Sequence, residues 1–167
     1  MEIKFNEIIN QVDKSKICDH ILRALPNWFA NEEPIVNYAN EVQQMPFYSA
    51  FDNEKAIGFI ALKVHNEYTA EVCVMGILEE YHRQGIGGKL IKLCEEYCLT
   101  TRKEFLTVKT LDGSAEYEPY ERTRNFYRGM GFVPLEVFPL YWDKDNPCLF
   151  LVKHITECSK QAFSGTL

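Results

Sequence analysis

The run His82-Arg83-Gln84-Gly85-Ile86-Gly87-Gly88 lies between a β-rich segment and an amphipathic one with helical spacing. That order is a physical recipe for holding an anion. Glycines let the main chain approach a phosphate closely, and a helix's first turn offers N–H groups without intrahelical partners and a partial positive charge. Arg83 and Lys89 flank the turn and can add direct contacts. The run is not a P-loop, since Gly-x-x-x-x-Gly-Lys-Ser/Thr is absent, nor a full Gly-x-Gly-x-x-Gly dinucleotide fingerprint. Taken alone it also fits a ligand-free strand-to-helix turn. The second candidate for chemistry is Glu71, on the β-rich run that leads into the loop. In a strand, positions 71, 73, 75 and 77 share one face, which places the carboxylate with Cys73 and Met75 in semi-apolar surroundings. Desolvation there would raise its pKa toward that of a useful base; the alternative is a solvated carboxylate on a strand face.

Several elements must position these groups. Met1 to Ile9 alternates weakly, as a first strand would. Ile17, Ile21, Leu22 and Leu25 give helical spacing from Asp13 to Leu25, and Pro26 stops it. Asn31 can cap a second helix with Pro34 in its first turn and Ile35, Tyr38, Ala39 and Val42 as its apolar stripe. Phe47 to Phe51 and Ala56 to Val64 are β-rich runs joined by Asp52-Asn53-Glu54-Lys55, a good hairpin turn. Ala70 to Leu78 is a third. The period then changes: Ile86, Leu90, Leu93, Cys94 and Tyr97 share a helical face. Phe105 to Leu111 returns to strand, Arg122 to Met130 to helix, and Val133 to Leu140 and Cys148 to His154 to strand. The expected order is β-α-α-β-β-β-α-β-α-β-β, an α/β or α+β three-layer domain.

The 167 residues fit one domain, with 156–167 as a tail that frays or packs on a partner. No apolar run approaches the ~20 residues of a membrane span, and Met1-Glu2-Ile3-Lys4-Phe5 lacks a signal-peptide layout, so the cytoplasm is the expected compartment. A net charge of −6 argues against nucleic acid. The six cysteines (18, 73, 94, 98, 148 and 158) form no Cys-x-x-Cys pair and suggest no zinc site. They read as reduced, mostly core thiols, and no metal is expected. His65, His82 and His154 fit no ligand spacing and read as surface or strand residues.

From Phe47 to Phe132 the chain resembles the GNAT superfamily of acyl-CoA-dependent N-acetyltransferases. That family's signature is Gln/Arg-x-x-Gly-x-Gly/Ala at a strand-to-helix junction, then a strand and a helix ending in Tyr-x-x-x-Gly-Phe. The chain has His82-Arg83-Gln84-Gly85-Ile86-Gly87 and, later, Phe126-Tyr127-Arg128-Gly129-Met130-Gly131-Phe132. It departs from the pattern at His82, and at Tyr120, where the family commonly has asparagine. The resemblance implies a mixed, mostly antiparallel sheet with helices on both faces and a splay between its two central strands. It implies acetyl-CoA as co-substrate, held by the main chain of Ile77 and by His82, Arg83, Gln84, Gly85, Ile86, Gly87, Gly88 and Lys89. It makes Tyr127 the group that hydrogen-bonds the coenzyme A sulfur and returns a proton to it, and gives Glu71 the position of the general base in some members. The Ile77 N–H would face the thioester carbonyl, with Gly76 before it marking a bulge or close approach.

The acceptor would lie on the other side of the splay, against the loops Trp28 to Glu33, Asp112 to Glu121 and Tyr141 to Asn146. Their carboxylates and aromatic rings, with Trp28, Glu32, Tyr117, Tyr120 and Trp142 as representatives, suit a cationic small-molecule or peptide amine. The same loops also read as ordinary polar surface. Two other classes remain open at this level: a non-catalytic acyl-CoA-binding module and a nucleotide-binding domain using the same loop. A homodimer is an open option.

Overall fold

The computed structural model describes residues 2–156; of the expected tail, 157–167 lie outside this range. Seven strands and four helices follow the expected order: β1 (Ile3–Glu7), α1 (Gln11–Arg23), α2 (Glu32–Glu41), β2 (Phe47–Asp52), β3 (Lys55–Val64), β4 (Thr69–Ile77), α3 (Ile86–Thr100), β5 (Phe105–Leu111), α4 (Glu118–Gly129), β6 (Val133–Asp143) and β7 (Asn146–His154). The strands are arranged β1-β2-β3-β4-β5-β7-β6. Neighbours β4 and β5 are joined through helix α3, the crossover that a parallel pair requires, so the sheet is mixed. Packing groups the chain into two units, with boundaries after Lys63, Glu71 and Leu93.

In the first unit, α1 begins two residues earlier than its apolar stripe suggests because the Asn10 side chain accepts from the Asp13 N–H at 3.0 Å. Strands β1, β2 and β3 form an antiparallel meander whose hairpin turn puts Asn53 at φ 54°, a conformation asparagine tolerates. Phe47 and Phe59 stack at 5.2 Å between ring centres and, with Ile21, Leu22, Ile57, Ile60 and Leu62, fill the core. Gly76 belongs to that core for a steric reason. A β-carbon there would lie 3.0 Å from both Ile21 Cγ2 and Leu25 Cδ1, so the crowding at this glycine comes from side chains of helix α1.

In the second unit, β7 pairs antiparallel with both β5 and β6. Leu106, Val108, Leu149 and Leu151 are its buried face. Arg124 of α4, buried and not singled out by any sequence pattern, donates from Nη1 to the Leu111 carbonyl at 2.8 Å and ties the helix to the end of β5. Lys153 pairs with Glu95 and donates to the Met130 carbonyl at 2.7 Å, joining β7 to the end of α4. Strand β6 is exposed along almost its whole length. No disulfide occurs among the described residues. Cys18, Cys94, Cys98 and Cys148 are buried, as expected of core thiols, whereas Cys73 is half-exposed.

Two predictions follow from this packing. Gly76→Ala overpacks the α1–β4 contact and should cost about 1–3 kcal/mol in a denaturant melt; wild-type stability would mean that Ile21 and Leu25 yield without strain. Burial pushes the thiols of Cys18 to about 12 and of Cys98 and Cys148 to about 11, against an ordinary value of 9.0. The folded pKa values are raised, so the unfolded chain loses these protons first. The thiols' contribution to stability should be level below pH 9 and fall above it by up to about 1.4 kcal/mol per pH unit per thiol, and equal denaturation midpoints at pH 8.5 and 10 would contradict it.

Candidate active site

The glycine loop belongs to the first unit. Strand β4 enters it with Leu78 N–H bonded to the Ile57 carbonyl at 2.9 Å, which fixes the strand end against β3. A short 3-10 turn, Glu79–Tyr81, follows, held by a Tyr81 hydroxyl donation to Asp52 at 2.8 Å and by the Lys55–Glu80 ion pair. His82 then returns to the strand: its Nε2 bonds the Ile77 carbonyl at 2.7 Å, while its ring meets Trp28 edge-on at 5.9 Å. His82 is thus a clamp between the loop and the end of β4, a role its departure from the family pattern did not reveal.

Two left-handed residues shape the turn. Arg83 has φ 59° and Gly85 has φ 78°. The second is cheap for glycine and the first is uncommon for a residue with a β-carbon. A β-carbon on Gly85 would meet nothing within 4 Å, so its conformation and not crowding calls for glycine. The Gln84 side chain donates to the Glu80 carbonyl at 3.2 Å, within the loop. The side chain of Ile86 is buried, which leaves its main chain as its contribution. The Lys89 N–H bonds the Gly85 carbonyl at 3.2 Å. The N–H groups of Ile86, Gly87 and Gly88 therefore precede the helix ladder and have no partner within it. Arg83 and Lys89 are exposed beside them, with the Lys89 ammonium 5.3 Å from the Phe5 ring centre. Main-chain donors and two exposed cations therefore lie together at the start of α3.

Along β4 burial alternates: Val72, Val74 and Gly76 are buried, and Cys73, Met75 and Ile77 are half-exposed. On the strand face that sequence alternation assigns to chemistry, Cys73, Met75 and Ile77 are therefore half-exposed, while Glu71 is buried.

Glu71 lies in the second unit, and its surroundings differ from the semi-apolar setting expected. Its side chain is 7% exposed; one oxygen accepts from the Lys109 ammonium and the other is 2.8 Å from His65 Nε2. Burial works against the Lys109 charge, but the hydrogen bond and charge of Glu71 carry its pKa above the ordinary lysine value. Lys109 also sits over two rings, 4.9 Å from Phe150 and 5.4 Å from Tyr141. Neither His65 nor Lys109 was singled out by spacing. Cross-strand pairing unites residues far apart in sequence, and no local pattern records it.

Tyr127 is 5% exposed. The motif around it has a plain structural basis. Gly131, at φ 91°, lets the chain leave α4, the Phe132 N–H bonds back to the Tyr127 carbonyl at 3.1 Å, and the two rings meet edge-on at 5.5 Å. The glycine and phenylalanine therefore lock the tyrosine ring in place.

The residues expected to meet an acceptor fall in both units. In the first, Trp28 rests on His82, and Glu32 is paired with Arg23 at 2.5 Å. In the second, Tyr117 and Tyr120 lie 6.1 Å apart, and burial pushes the Tyr120 phenol up to about 12. Tyr117 lines a cavity of about 340 Å³ with Gly113, Glu116, Glu118, Glu121 and Arg124. Trp142 packs on Tyr141, which in turn meets Phe150. Among the described residues no group of three or more His, Cys, Asp or Glu is placed to hold a metal, and no helix is long and apolar enough to cross a membrane.

No curated protein matches the chain by sequence. Solved structures do by fold. A protein from Desulfovibrio desulfuricans assigned to the GNAT acetyltransferases superposes with a TM-score of 0.79 at 13% identity, covering 93% of this chain and 100% of that one. An aminoglycoside 6′-N-acetyltransferase complexed with coenzyme A gives 0.72 at 16% identity over 93% and 98%. The ribosomal-protein-S18-alanine N-acetyltransferase from Escherichia coli gives 0.72 at 14% identity over 93% and 95%. At these identities the likeness speaks for the fold. The acetyltransferase (GNAT) family model matches residues 15–132, more than half the chain, and the chain belongs to that family.

Proposed function

We propose that the chain transfers an acetyl group from acetyl-CoA to a primary amine of a small molecule or peptide, by direct attack in a ternary complex. The observation that carries this reading is the loop itself. Left-handed Arg83 and Gly85 turn the main chain so that helix α3 opens with Ile86, Gly87 and Gly88 as donors, beside two exposed cations. A pyrophosphate needs this arrangement, and the family match supplies the donor. A solved relative by fold is complexed with coenzyme A.

In this reading the loop from His82 to Lys89 binds the pyrophosphate. The Ile77 N–H polarises the thioester carbonyl, with His82 fixing the carbonyl of the same residue. Tyr127, held by Phe132, gives a proton to the departing thiolate; a phenol is a suitable acid because its pKa lies near that of a thiol. Glu71 is the general base that takes the amine proton. The buried thiols of Cys94 and Cys98, pushed upward by burial, support a route without an acyl-cysteine. The acceptor is a cationic amine met by Trp28, Glu32, Tyr117, Tyr120 and Trp142. The carboxylates beside Tyr117 support that charge preference, and solved relatives by fold are named for an aminoglycoside and a ribosomal protein alanine. The work takes place in the cytoplasm.

Tyr127→Phe should lower kcat by about 10²-fold while leaving coenzyme A affinity within a few-fold, measured by thiol release and by calorimetry; unchanged turnover would remove Tyr127 from the mechanism. Acetyl-CoA and CoA, but not ATP, should raise the melting temperature, by about 3 kcal/mol of linked stability at a hundredfold excess over Kd. A panel of polyamines, aminoglycosides, amino acids and lysine peptides identifies the acceptor class. Turnover of neutral or anionic acceptors alone would overturn the charge preference, and binding without turnover of any acceptor would make the chain an acyl-CoA-binding module.

A further inference from the structure

A cavity of about 340 Å³ opens at the start of α4, lined by Gly113, Glu116, Tyr117, Glu118, Glu121 and Arg124. All six residues lie in the second unit. The loop that carries Gly113 to Tyr117 is anchored at its root. The Asp112 N–H donates to the Pro147 carbonyl at 2.9 Å, and the Asp112 carboxylate accepts from the Ser114 N–H at 3.0 Å and hydroxyl at 2.6 Å. Five of the six lining residues are exposed and form the rim, whereas Arg124, 9% exposed, is the floor.

At that floor the chain's own bonding is incomplete. Arg124 Nη1 donates to the Leu111 carbonyl at 2.8 Å, and the guanidinium has no other acceptor and no ion pair among the described residues. Hydrogen bonds from Ser114 first, and the Arg124 charge last, hold the Asp112 carboxyl below its ordinary range, so Asp112 is a nearby counter-charge and not a bonding partner. A guanidinium is always charged and offers five N–H donors in a planar fork. Burying one with most of that capacity unmet is costly unless a bound molecule completes it. Gly113 leaves the fork open. A β-carbon there would have Arg124 Nε and Nη2 as its nearest neighbours, both at 3.6 Å. The edge of the guanidinium that lacks an acceptor in the chain therefore faces the cavity.

The rim decides what can reach that edge. Glu118 is engaged, accepting from Arg122 Nε and Nη2 at 2.6 and 2.8 Å, whereas the Glu116 and Glu121 carboxylates have no hydrogen-bond or ion-pair partner among the described residues. An anion would suit Arg124 but would have to pass three carboxylates. A simple cation would suit the carboxylates and the Tyr117 ring, yet it would bring like charge to Arg124 and leave its donors unmet. A protonated amine beside a neutral carbonyl serves both ends. Its oxygen accepts from Nε and Nη2, and its ammonium donates to Glu116 and Glu121 beside the Tyr117 ring. The volume is at the small end for a ligand site and suits one or two amino-acid residues. We infer that this cavity is a ligand site for an aminoacyl amide, the group found at the amino terminus of a peptide, with Arg124 holding the carbonyl and Glu116 and Glu121 the ammonium. The inference concerns binding alone: no step of acetyl transfer is placed here, and it stands whichever amine is acetylated.

The test titrates the full chain, without acetyl-CoA, with alaninamide and with alanyl-glycyl-glycinamide in a calorimeter. Both should bind; tighter binding of the tripeptide amide marks a peptide terminus as the source, and equal binding a small aminoacyl amide. Three probes should each bind at least about tenfold more weakly, the loss expected of one charge-assisted hydrogen bond. They are diaminobutane, which lacks the carbonyl, N-acetylalaninamide, which lacks the charge, and free alanine, whose carboxylate meets the acidic rim. Gly113→Leu sets a side chain over Arg124 Nε and Nη2 with no main-chain atom in its way. It should melt close to the wild type and lose binding. Glu121→Gln, at an exposed position, should weaken binding by about tenfold. Wild-type affinity in Gly113→Leu, or diaminobutane binding as tightly as alaninamide, overturns the inference. If Gly113→Leu fails to fold, unchanged affinity in Glu121→Gln does so. Failure of both amides to bind at millimolar concentration leaves the cavity to water and overturns it as well. None of these readouts involves turnover of acetyl-CoA, so failure here and failure of the acetyl-transfer reading are told apart.

Discussion

The contact on which the first unit depends is the seating of helix α1 on strand β4 at Gly76. Because this position has no β-carbon, Ile21 and Leu25 descend to a distance at which a β-carbon would crowd both side chains. The contact commits one face of β4 to the core and leaves the alternate positions Cys73, Met75 and Ile77 half-exposed. The strand is then pinned at its far end by the Leu78 N–H on the Ile57 carbonyl and by His82 on the Ile77 carbonyl. The direction in which the loop leaves the strand, and so the direction of the first donors of α3, is inherited from these three fixings. Main-chain donors at a helix start can be aimed no more precisely than the strand that feeds them.

The second unit solves a different problem, the keeping of charge inside a sheet. Buried ions are tolerated when each is paired and its remaining capacity is satisfied. Glu71 meets this with Lys109 and His65, and Glu95 with Lys153, which also reaches the Met130 carbonyl. The aromatic rings beneath Lys109 add a soft contact to its cationic head. Tyr127 is fixed without ions, by the left-handed exit at Gly131 that turns Phe132 back against its ring.

The order of the elements was legible because each carries its own periodicity and punctuation. The Phe105 to Leu111 strand agrees to the residue, and the hairpin at Asp52 to Lys55 has the asparagine that its turn requires. Boundaries moved where a cap or a proline acts earlier than the apolar stripe, as at Asn10, and at Glu118 with Pro119 in the first turn of α4. The glycine loop was legible because its chemistry is local. What escaped was everything made by pairing across the sheet. His65 reads as a surface or strand residue that fits no ligand spacing, and Lys109 and Arg124 carry no sequence signal until β3, β5 and α4 are folded. Gly76 was legible as a special position, though for packing on α1 and not from any pattern that names the helix.

Strand β6 forms an edge of the sheet, with Val133, Leu135, Val137 and Leu140 exposed at 57%, 63%, 41% and 75%. A long apolar edge is a template on which another chain can grow. Pro134 and Pro139 interrupt it: neither has an N–H to offer, so an added strand would find the row of donors broken at both positions. The register shifts between Pro134 and Glu136 and between Phe138 and Asp143 bend the strand further from a straight template. The two prolines therefore protect against fibrous growth, and replacing them would expose the chain to aggregation before it altered any reaction.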